Sequence, residues 1–271
     1  MAWKSSFPGR GCAPFWAAPA ELASAWRRVR GCAALGLATV FLIGCQGMAM
    51  DSSLDSAQLR VIDASPDAGI IDSYGNDGAL AYNLSFGTMT SYIAVAPGDY
   101  QLTAARAGTH QTLAACSESL AVGRQYTEII GSGLADMRSA VFVDRSTPAP
   151  EGEIAVRVIN ETTRPGALRV SMVPLIATDS RAMSSYALAS HLGLGVSSGY
   201  VTLPMGAYAV EVESANRAQS SPANLLRGVQ IPYPSGAVRT VVLIDQPSPV
   251  DQPNSSQTGV QAIVADDADA P

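Results

Sequence analysis

Residues 206–213 read GAYAVEVE, in which Tyr208, Val210 and Val212 alternate with small or acidic residues. An alternation with a period of two is typical of a half-buried β-strand, whose apolar side chains face the core and whose polar ones face water. Residues 100–104, YQLTA, alternate in the same way, and each of the two tyrosines follows a Gly-x pair. Turn residues are frequent, with 24 Gly and 17 Pro. The sequence therefore predicts an all-β protein with many turns.

The strand-like segments occur twice, in the same order. Four pairs of segments match: LRVID at 59–63 with VRVIN at 156–160, NLSFG at 83–87 with HLGLG at 191–195, residues 92–100 with residues 200–208, and VFVD at 141–144 with VLID at 242–245. Repeats of this length are domains, because a shorter solenoid unit could not bury its own sheet faces. The fold class that we predict is all-β, with two tandem immunoglobulin-like antiparallel β-sandwich domains after a lipoprotein signal peptide.

The predicted boundaries follow from these matches and from composition. They are a signal peptide with an N-terminal extension at 1–44, a lipidated cysteine and tether at 45–57, repeat 1 at 58–147, a Pro-rich linker at 148–152, repeat 2 at 153–247 and an acidic tail at 248–271. We expect the tail to be disordered, because it is rich in Pro, Gln, Ser and Asp and poor in large apolar residues.

The N-terminal region has the layout of a secretory signal. Basic residues at 27–30 precede an uncharged apolar run at 32–43, which is too short to span a bilayer comfortably. The run ends in Leu42, Ile43, Gly44 and Cys45, which resemble a bacterial lipobox, where signal peptidase cuts before the cysteine. This resemblance implies a covalent lipid, such as palmitate, on Cys45, and recognition of the preceding three residues by the peptidase. An uncleaved membrane helix is the alternative.

The charge and the residue after the cysteine bear on partners and location. The chain carries −6, but its first 44 residues hold five basic groups and one acid, so the remainder carries −10. Such an acidic protein is not expected to bind nucleic acid. Gln46 stands where an inner-membrane protein usually has Asp, which favours the outer membrane of a Gram-negative bacterium. We therefore predict a cell-envelope protein that is attached to the membrane through its lipid, periplasmic or surface-facing.

A family resemblance covers most of residues 58–245. The runs RVIDASPD at 60–67 and NLSFG at 83–87, followed by Tyr92 and by Pro-Gly-x-Tyr ending at Tyr100, resemble the bacterial domain-of-unknown-function family 4397. Repeat 2 departs from this pattern near its start, where Arg169 falls roughly where Asp72 would. The resemblance implies an extracytoplasmic β-sandwich, often found in lipoproteins, and it brings no known activity and no catalytic residues.

Few residues suggest chemistry. Asp63, Asp67 and Asp72 could bind calcium, which takes oxygen ligands in a flexible array, but turn capping is the favoured interpretation. Neither histidine has a second His or a Cys at metal-ligand spacing. Cys116 is expected to be a buried small hydrophobic residue. Apart from the lipid on Cys45, no cofactor is predicted.

We accordingly predict a non-catalytic binding or structural module for a polysaccharide or an envelope protein. Tyr74, Tyr82, Tyr92 and Tyr233 are the aromatic residues that could stack on sugar rings, although a role in the core or in anchoring strands is favoured for them. Two alternatives remain. An envelope-polymer hydrolase requires a cleft with two carboxylates or a base beside a nucleophile, and a calcium-dependent adhesion module requires the aspartates to converge.

Overall fold

The computed structural model describes residues 55–132, 134–175, 185–216, 224–246 and 259–268, which contain seventeen β-strands and one 3-10 helix, Leu134–Asp136. The prediction of an all-β protein is therefore confirmed. Ala49–Pro271 forms a compact unit by itself. A second unit, Met1–Met48, lies outside the described residues, as do the predicted signal peptide, its lipobox residues and Cys45. Within the described part, no helix is long and apolar enough to cross a membrane.

Repeat 1 consists of two four-stranded sheets. Its strands are β1 Ala57–Asp63, β2 Ile71–Gly75, β3 Gly78–Leu84, β4 Ile93–Val95, β5 Gly98–Arg106, β6 Thr112–Leu120, β7 Gln125–Gly131 and β8 Arg138–Val143. We call β4-β1-β7-β8 inner sheet 1 and β3-β2-β5-β6 outer sheet 1. Apolar residues of both sheets, such as Val61, Ile71 and Ala104, share one buried cluster, so the two sheets form a sandwich.

Repeat 2 has the same arrangement with one additional short strand. Its strands are β9 Glu153–Asn160, β10 Leu168–Pro174, β11 Tyr186–Leu192, β12 Val196–Ser197, β13 Val201–Pro204, β14 Gly206–Ser214, β15 Asn224–Tyr233, β16 Val238–Asp245 and β17 Val260–Ala268. Inner sheet 2 is β12-β9-β16-β17, with β13 also beside β9, and outer sheet 2 is β11-β10-β14-β15.

Two predictions about the C-terminal region are wrong. Residues 260–268 form strand β17, which pairs with β16, so repeat 2 extends beyond residue 247 and this part of the predicted tail is ordered. The sheet orders also show that β17 corresponds to β8, and β16 to β7. The match of 141–144 with 242–245 is therefore displaced by one strand. Residues 247–258 and 269–271 lie outside the described part of the chain.

The sandwiches are not purely antiparallel. Strand β1 pairs with β7 in parallel, and β9 pairs with β16 in parallel, whereas the other pairs are antiparallel. A parallel pair requires a crossover connection, and here the strands that build the outer sheet lie between the two partners in the chain. The predicted antiparallel arrangement holds for the outer sheets, and each inner sheet is mixed.

The two inner sheets pack against each other. Ile62 and Ile129 of repeat 1 share a buried cluster with Ile159, Val242 and Ile244 of repeat 2. Each inner sheet is thus covered on one face by its own outer sheet and on the other by the second repeat. The central strands β1, β7, β9 and β16 are accordingly buried along nearly their whole length, because both of their faces are covered.

Most of the predicted matches between the repeats have the same local structure. Tyr100 donates its hydroxyl to the carbonyl of Ala96 (2.9 Å), and Tyr208 donates to that of Pro204 (2.8 Å). Both tyrosines therefore fix the turn that precedes their strand, four residues upstream. The equivalence of the repeats makes repeat 2 an internal reference for each special feature of repeat 1.

Candidate functional site

Buried charges cross the contact between the inner sheets. Arg60 of β1 is 3% exposed, and its Nη2 lies 2.6 Å from Oδ1 of Asp267 in β17. Arg157 of β9 forms the equivalent ion pair with Asp144, which follows β8. Each repeat therefore supplies an arginine to the other repeat and receives one, as in an isologous dimer contact.

The surrounding hydrogen bonds are reciprocal too. Thr127 and Tyr92 donate to Oδ2 of Asp144 (2.6 and 2.7 Å). Thr240 and Tyr200 donate to Oδ2 of Asp267 at the same distances. Burial and the neighbouring carboxylate raise the pKa of Asp267, and the Arg60 ion pair offsets only part of this effect. The polar groups in this buried cluster form hydrogen bonds and ion pairs with one another. These contacts connect the two repeats in a defined orientation.

Two of the four tyrosines singled out from the sequence serve this structural core. Tyr92 lies beneath the guanidinium of Arg60, 4.6 Å from its ring centroid, and burial raises the pKa of its hydroxyl. Tyr233 is buried in the sandwich core of repeat 2, where burial raises its pKa to about 12. Tyr233 is therefore closed to a ligand, and the half-buried Tyr92 has one face of its ring covered by Arg60.

Tyr74 and Tyr82 lie instead at the solvent-facing surface of outer sheet 1. Their ring centroids are 6.1 Å apart at an interplanar angle of 86°, and Tyr82 is 63% exposed. The rings stand on neighbouring strands, β2 and β3, and form an edge-to-face pair. Tyr74 lines an open trough of about 570 Å³, which we call the outer trough, and Tyr82 lies against Tyr74 on the neighbouring strand. The lining residues of the trough are Tyr74, Asn76, Asp77, Gln101, Thr103, Ala105, His110 and Thr112.

The hairpin between β2 and β3 forms one end of the outer trough. Asn76 and Asp77 have φ angles of 48° and 67°, as a two-residue type I′ turn requires. The side chain of Asn76 accepts from the backbone NH of Gln101 (2.8 Å) and donates to the carbonyl of Asp99 (2.9 Å). The hairpin is thereby fixed to β5, so the end of the trough is preformed.

Asp72 holds the opposite side of the trough. Its Oδ1 accepts from the backbone NH of Asn83 (2.8 Å), and its Oδ2 accepts from the NH of Gly108 (3.0 Å) in the β5–β6 turn. The hydroxyl of Tyr74 lies 3.5 Å from the same Oδ2. Asp72 therefore positions the turn that carries His110, as well as the β3 strand that carries Tyr82.

The floor of the outer trough offers neutral polar groups. Gln101 accepts from the hydroxyl of Ser117 (2.8 Å) through its Oε1, which leaves its amide NH2 as a donor. Thr103 and Thr112 add hydroxyl groups, and Asp77 is the single carboxylate in the lining. The site thus combines exposed aromatic rings with hydroxyl and amide groups.

The described residues of repeat 2 differ from repeat 1 at these positions. The strand registers place Ser171 where repeat 1 has Tyr74, and Arg169 where it has Asp72. Arg169 forms an exposed ion pair with Glu213 (3.6 Å). The expectation that Arg169 replaces Asp72 is met, and a serine takes the place of the aromatic Tyr74.

The structure does not bring the predicted calcium ligands together. Asp63 is buried, Asp67 is exposed, and both oxygens of Asp72 accept backbone NH groups. Among the described residues, no group of three or more His, Cys, Asp or Glu side chains could hold a metal ion. The calcium hypothesis therefore has no geometric support, because turn and strand contacts use these carboxylates.

Cys116 is half-buried, and its thiol lies 3.3 Å from the hydroxyl of Ser139. Ser139 in turn donates to Glu128 (2.7 Å), whose other oxygen accepts from Ser73 (3.2 Å). Burial raises the pKa of both Cys116 and Glu128. These shifts disfavour a thiolate, and the cluster lies between the sheets of repeat 1, away from the outer trough. Glu128 could not be identified from the sequence, because no local pattern marks a buried carboxylate.

Comparison with known protein families shows a match over part of the chain. Residues 57–171 match the model of "Domain of unknown function (DUF4397)", which spans repeat 1, the linker and the first strands of repeat 2. None of the curated proteins matches this chain.

Three solved structures show distant likeness. A leucine-rich repeat protein from Bacteroides thetaiotaomicron is 14% identical, with 69% of this chain covering 25% of that one and a TM-score of 0.19. A streptococcal virulence factor, described for alpha-glucan binding, is 9% identical (65% and 88% covered, TM-score 0.24). A tip fimbrial protein from Porphyromonas gingivalis is 7% identical (78% and 99%, TM-score 0.23). This chain spans a quarter of the first of these proteins, and scores of this size carry no functional weight.

Proposed function

We propose that this chain, which carries a DUF4397-like domain, is a non-catalytic binding module of the bacterial cell envelope, and that the outer trough of repeat 1 binds a polysaccharide. The observation that carries this proposal is the surface pair of Tyr74, which is half-buried, and Tyr82, which is exposed, beside neutral hydrogen-bonding groups. Sugar rings present an apolar face of C–H groups and a rim of hydroxyl groups. An aromatic ring with adjacent amide and hydroxyl groups complements both features.

The asymmetry between the repeats supports a role for this face. The strand arrangement is duplicated, down to the reciprocal ion pairs, and yet the registers of the described strands place serines at 171 and 190 where repeat 1 has Tyr74 and Tyr82. An exposed tyrosine contributes little to folding, because its ring remains in contact with water. The exposed Tyr82 is therefore better explained by ligand binding than by stability.

Membrane attachment through a lipid on Cys45 is part of this proposal. The support is the sequence of the apolar run and the small residue before the cysteine. Such an anchor would place the compact unit Ala49–Pro271 at the surface of a membrane, within reach of envelope polymers. The negative charge of this unit favours a neutral polymer over an acidic one, because like charges repel.

The test uses residues 46–271, which contain the whole compact unit. Retention is measured on isolated peptidoglycan, on outer-membrane polysaccharide and on an array of neutral glycans. We expect retention on one polymer class, and about tenfold weaker binding by Tyr82→Ala, which corresponds to about 1.4 kcal/mol.

Repeat 2 supplies the matched control. Ser190 stands where repeat 1 has Tyr82, so Ser190→Ala alters the equivalent exposed position and should leave binding unchanged. Retention that is equally weakened by both variants, or by neither, contradicts a ligand site in the outer trough. No retention on any polymer contradicts the polysaccharide assignment itself.

A further inference from the structure

Asp63, the last residue of β1, has one carboxylate oxygen without a partner. The side chain is fully buried, and its Oδ1 accepts from the backbone NH of Ser65 (2.9 Å). Its Oδ2 is buried and has no hydrogen-bond partner. An ionised oxygen in this position would be costly, because burial removes water and nothing replaces it.

Asn160, the last residue of β9, occupies the equivalent position in repeat 2. Its Oδ1 accepts from the NH of Thr162 (2.9 Å), as Asp63 accepts from Ser65. Its Nδ2 donates to the carbonyl of Leu192 (2.9 Å), at the end of β11. The amide thus connects an inner-sheet strand to the edge strand of the outer sheet.

Leu84 is the counterpart of Leu192 in repeat 1. Both leucines end their strand, and they pair with Ile71 and Leu168, which are themselves equivalent. The oxygen Oδ2 of Asp63 therefore corresponds to an amide donor, and the carbonyl of Leu84 to its acceptor. Two acceptors repel each other in this arrangement, unless one of them carries a proton.

We propose that Asp63 is a proton-operated latch: with a proton on Oδ2 it donates to the carbonyl of Leu84, as Asn160 donates to Leu192, and on losing the proton it releases the end of β3. The proton comes from solvent, and no other bond changes. The latch is specific to repeat 1, because an asparagine at the same position in repeat 2 donates at every pH.

None of the described charged groups near Asp63 donates a hydrogen bond to its Oδ2. On the elements that pack against it, Asp67 is exposed, Asp72 is engaged by Asn83 and Gly108, Glu128 is engaged by two serines, and Arg106 lies at the end of β5. The pKa of Asp63 is raised to about 7 by burial, which the NH of Ser65 offsets in part. The change of protonation state thus falls near neutral pH.

The latch should also affect ligand binding in the outer trough, and this inference rests on the proposed function. Strand β3 carries Tyr82, and Asn83 donates its NH to Asp72, which positions the far side of the trough. Release of the Leu84 carbonyl loosens this strand next to both residues. Ligand binding should therefore weaken as the pH rises from 6 to 8.

The direct test is nuclear magnetic resonance of residues 46–271 with ¹³C-labelled aspartate. We expect the carboxyl carbon of Asp63 to titrate near pH 7, and its signal is identified by its loss in Asp63→Asn. Amide exchange at Leu84 and Asn83 should accelerate with the same midpoint. The intrinsic effect of pH on exchange is measured in Asp63→Asn and subtracted. The latch is overturned if Asp63 titrates below pH 5, or if the amide exchange rates of Leu84 and Asn83 do not change at the midpoint of the Asp63 titration.

Reciprocal substitutions test the assignment without any ligand. Asp63→Asn should remove the Asp63 contribution to the pH dependence of thermal unfolding between about pH 4 and 7. In this range the folded chain keeps a proton that the unfolded chain has lost, so the wild-type unfolding constant rises up to tenfold per pH unit. Asn160→Asp should introduce the same dependence into repeat 2. Both residues occur naturally at this position, so both variants should fold. A wild-type pH dependence that persists undiminished in Asp63→Asn contradicts the latch. These results stand whether or not a polysaccharide binds, so a failed latch and a failed binding function are distinguishable.

Discussion

Substitution of Asp267 by alanine should weaken the contact between the two repeats and lower the free energy of unfolding. The change removes the carboxylate that lies 2.6 Å from the buried guanidinium of Arg60. The carboxylate of Asp144, which also pairs with Arg157, is 3.6 Å away from Arg60 and replaces it only in part. It also removes the acceptor of Thr240 and Tyr200. Removing one partner of a buried pair costs about 3–5 kcal/mol, because an uncompensated charge remains in the interior. We expect a loss of this size in urea-induced unfolding of residues 46–271.

The neighbouring residue is the control for this experiment. Asp266 pairs with Arg239, but its side chain is 62% exposed, so Asp266→Ala should cost less than about 1 kcal/mol. Replacement of both Arg60 and Asp267 by apolar residues should be less harmful than Asp267→Ala alone, because no charge is then left unpaired. Equal losses of unfolding free energy for Asp266→Ala and Asp267→Ala would refute the idea that the buried ion pairs hold the repeats together.

Three further predictions concern other parts of the chain. Gly131→Ala would place a methyl group 2.5 Å from Oε2 of Glu161 and should cost about 1–3 kcal/mol in urea unfolding, which Glu161→Ala in the same chain should partly restore. Burial raises the pKa of Glu161 to about 7 despite the nearby Arg138, so the folded state holds a proton that the unfolded chain releases. Stability should therefore fall as the pH rises from about 5 to 7, and Glu161→Gln should reduce this fall in thermal unfolding; an unchanged slope would contradict it. Cys45→Ala should abolish incorporation of labelled palmitate in bacteria, whereas Cys116→Ala should not; labelling that survives Cys45→Ala contradicts the predicted anchor.

The duplicated strands could be predicted because their side-chain pattern is local. The matched segments at 59–63 and 156–160 reappear as β1 and β9, and the two Gly-x-Tyr segments begin β5 and β14. What the pattern could not give was the parallel pairing and the contact between the inner sheets. Both depend on which strands meet in space, and the apolar runs of β1 and β16 are compatible with several pairings.

The last strand was missed for a related reason. Residues 260–268, VQAIVADDA, follow a polar stretch and contain two aspartates, so their composition favours disorder. In the structure, Asp267 is buried because Arg60 lies opposite, more than two hundred residues away in the chain. A long-range ion pair of this kind leaves no local signature.

The candidate site was predicted in part. Tyr74 and Tyr82 were among the four tyrosines considered for sugar stacking, and they lie at the surface, whereas Tyr92 and Tyr233 belong to structural clusters. Sequence alone could not separate the two pairs, because alternation along a strand does not reveal whether a second sheet covers its outer face. Asp63, Asp67 and Asp72 were considered as joint calcium ligands beside the favoured turn interpretation, and the described residues form no group of three that could hold a metal ion.

Mapping by nuclear magnetic resonance shows whether the outer trough of repeat 1 is the polysaccharide site. Residues 46–271 with ¹⁵N-labelled backbone are titrated with soluble fragments of the retained polymer. We predict that amide shifts concentrate at Tyr74, Gln101 and Thr103, and that the equivalent positions Ser171 and Glu211 stay unchanged. Shifts that centre on repeat 2 or on the contact between the inner sheets, with the outer trough unaffected, would contradict a polysaccharide site in the outer trough.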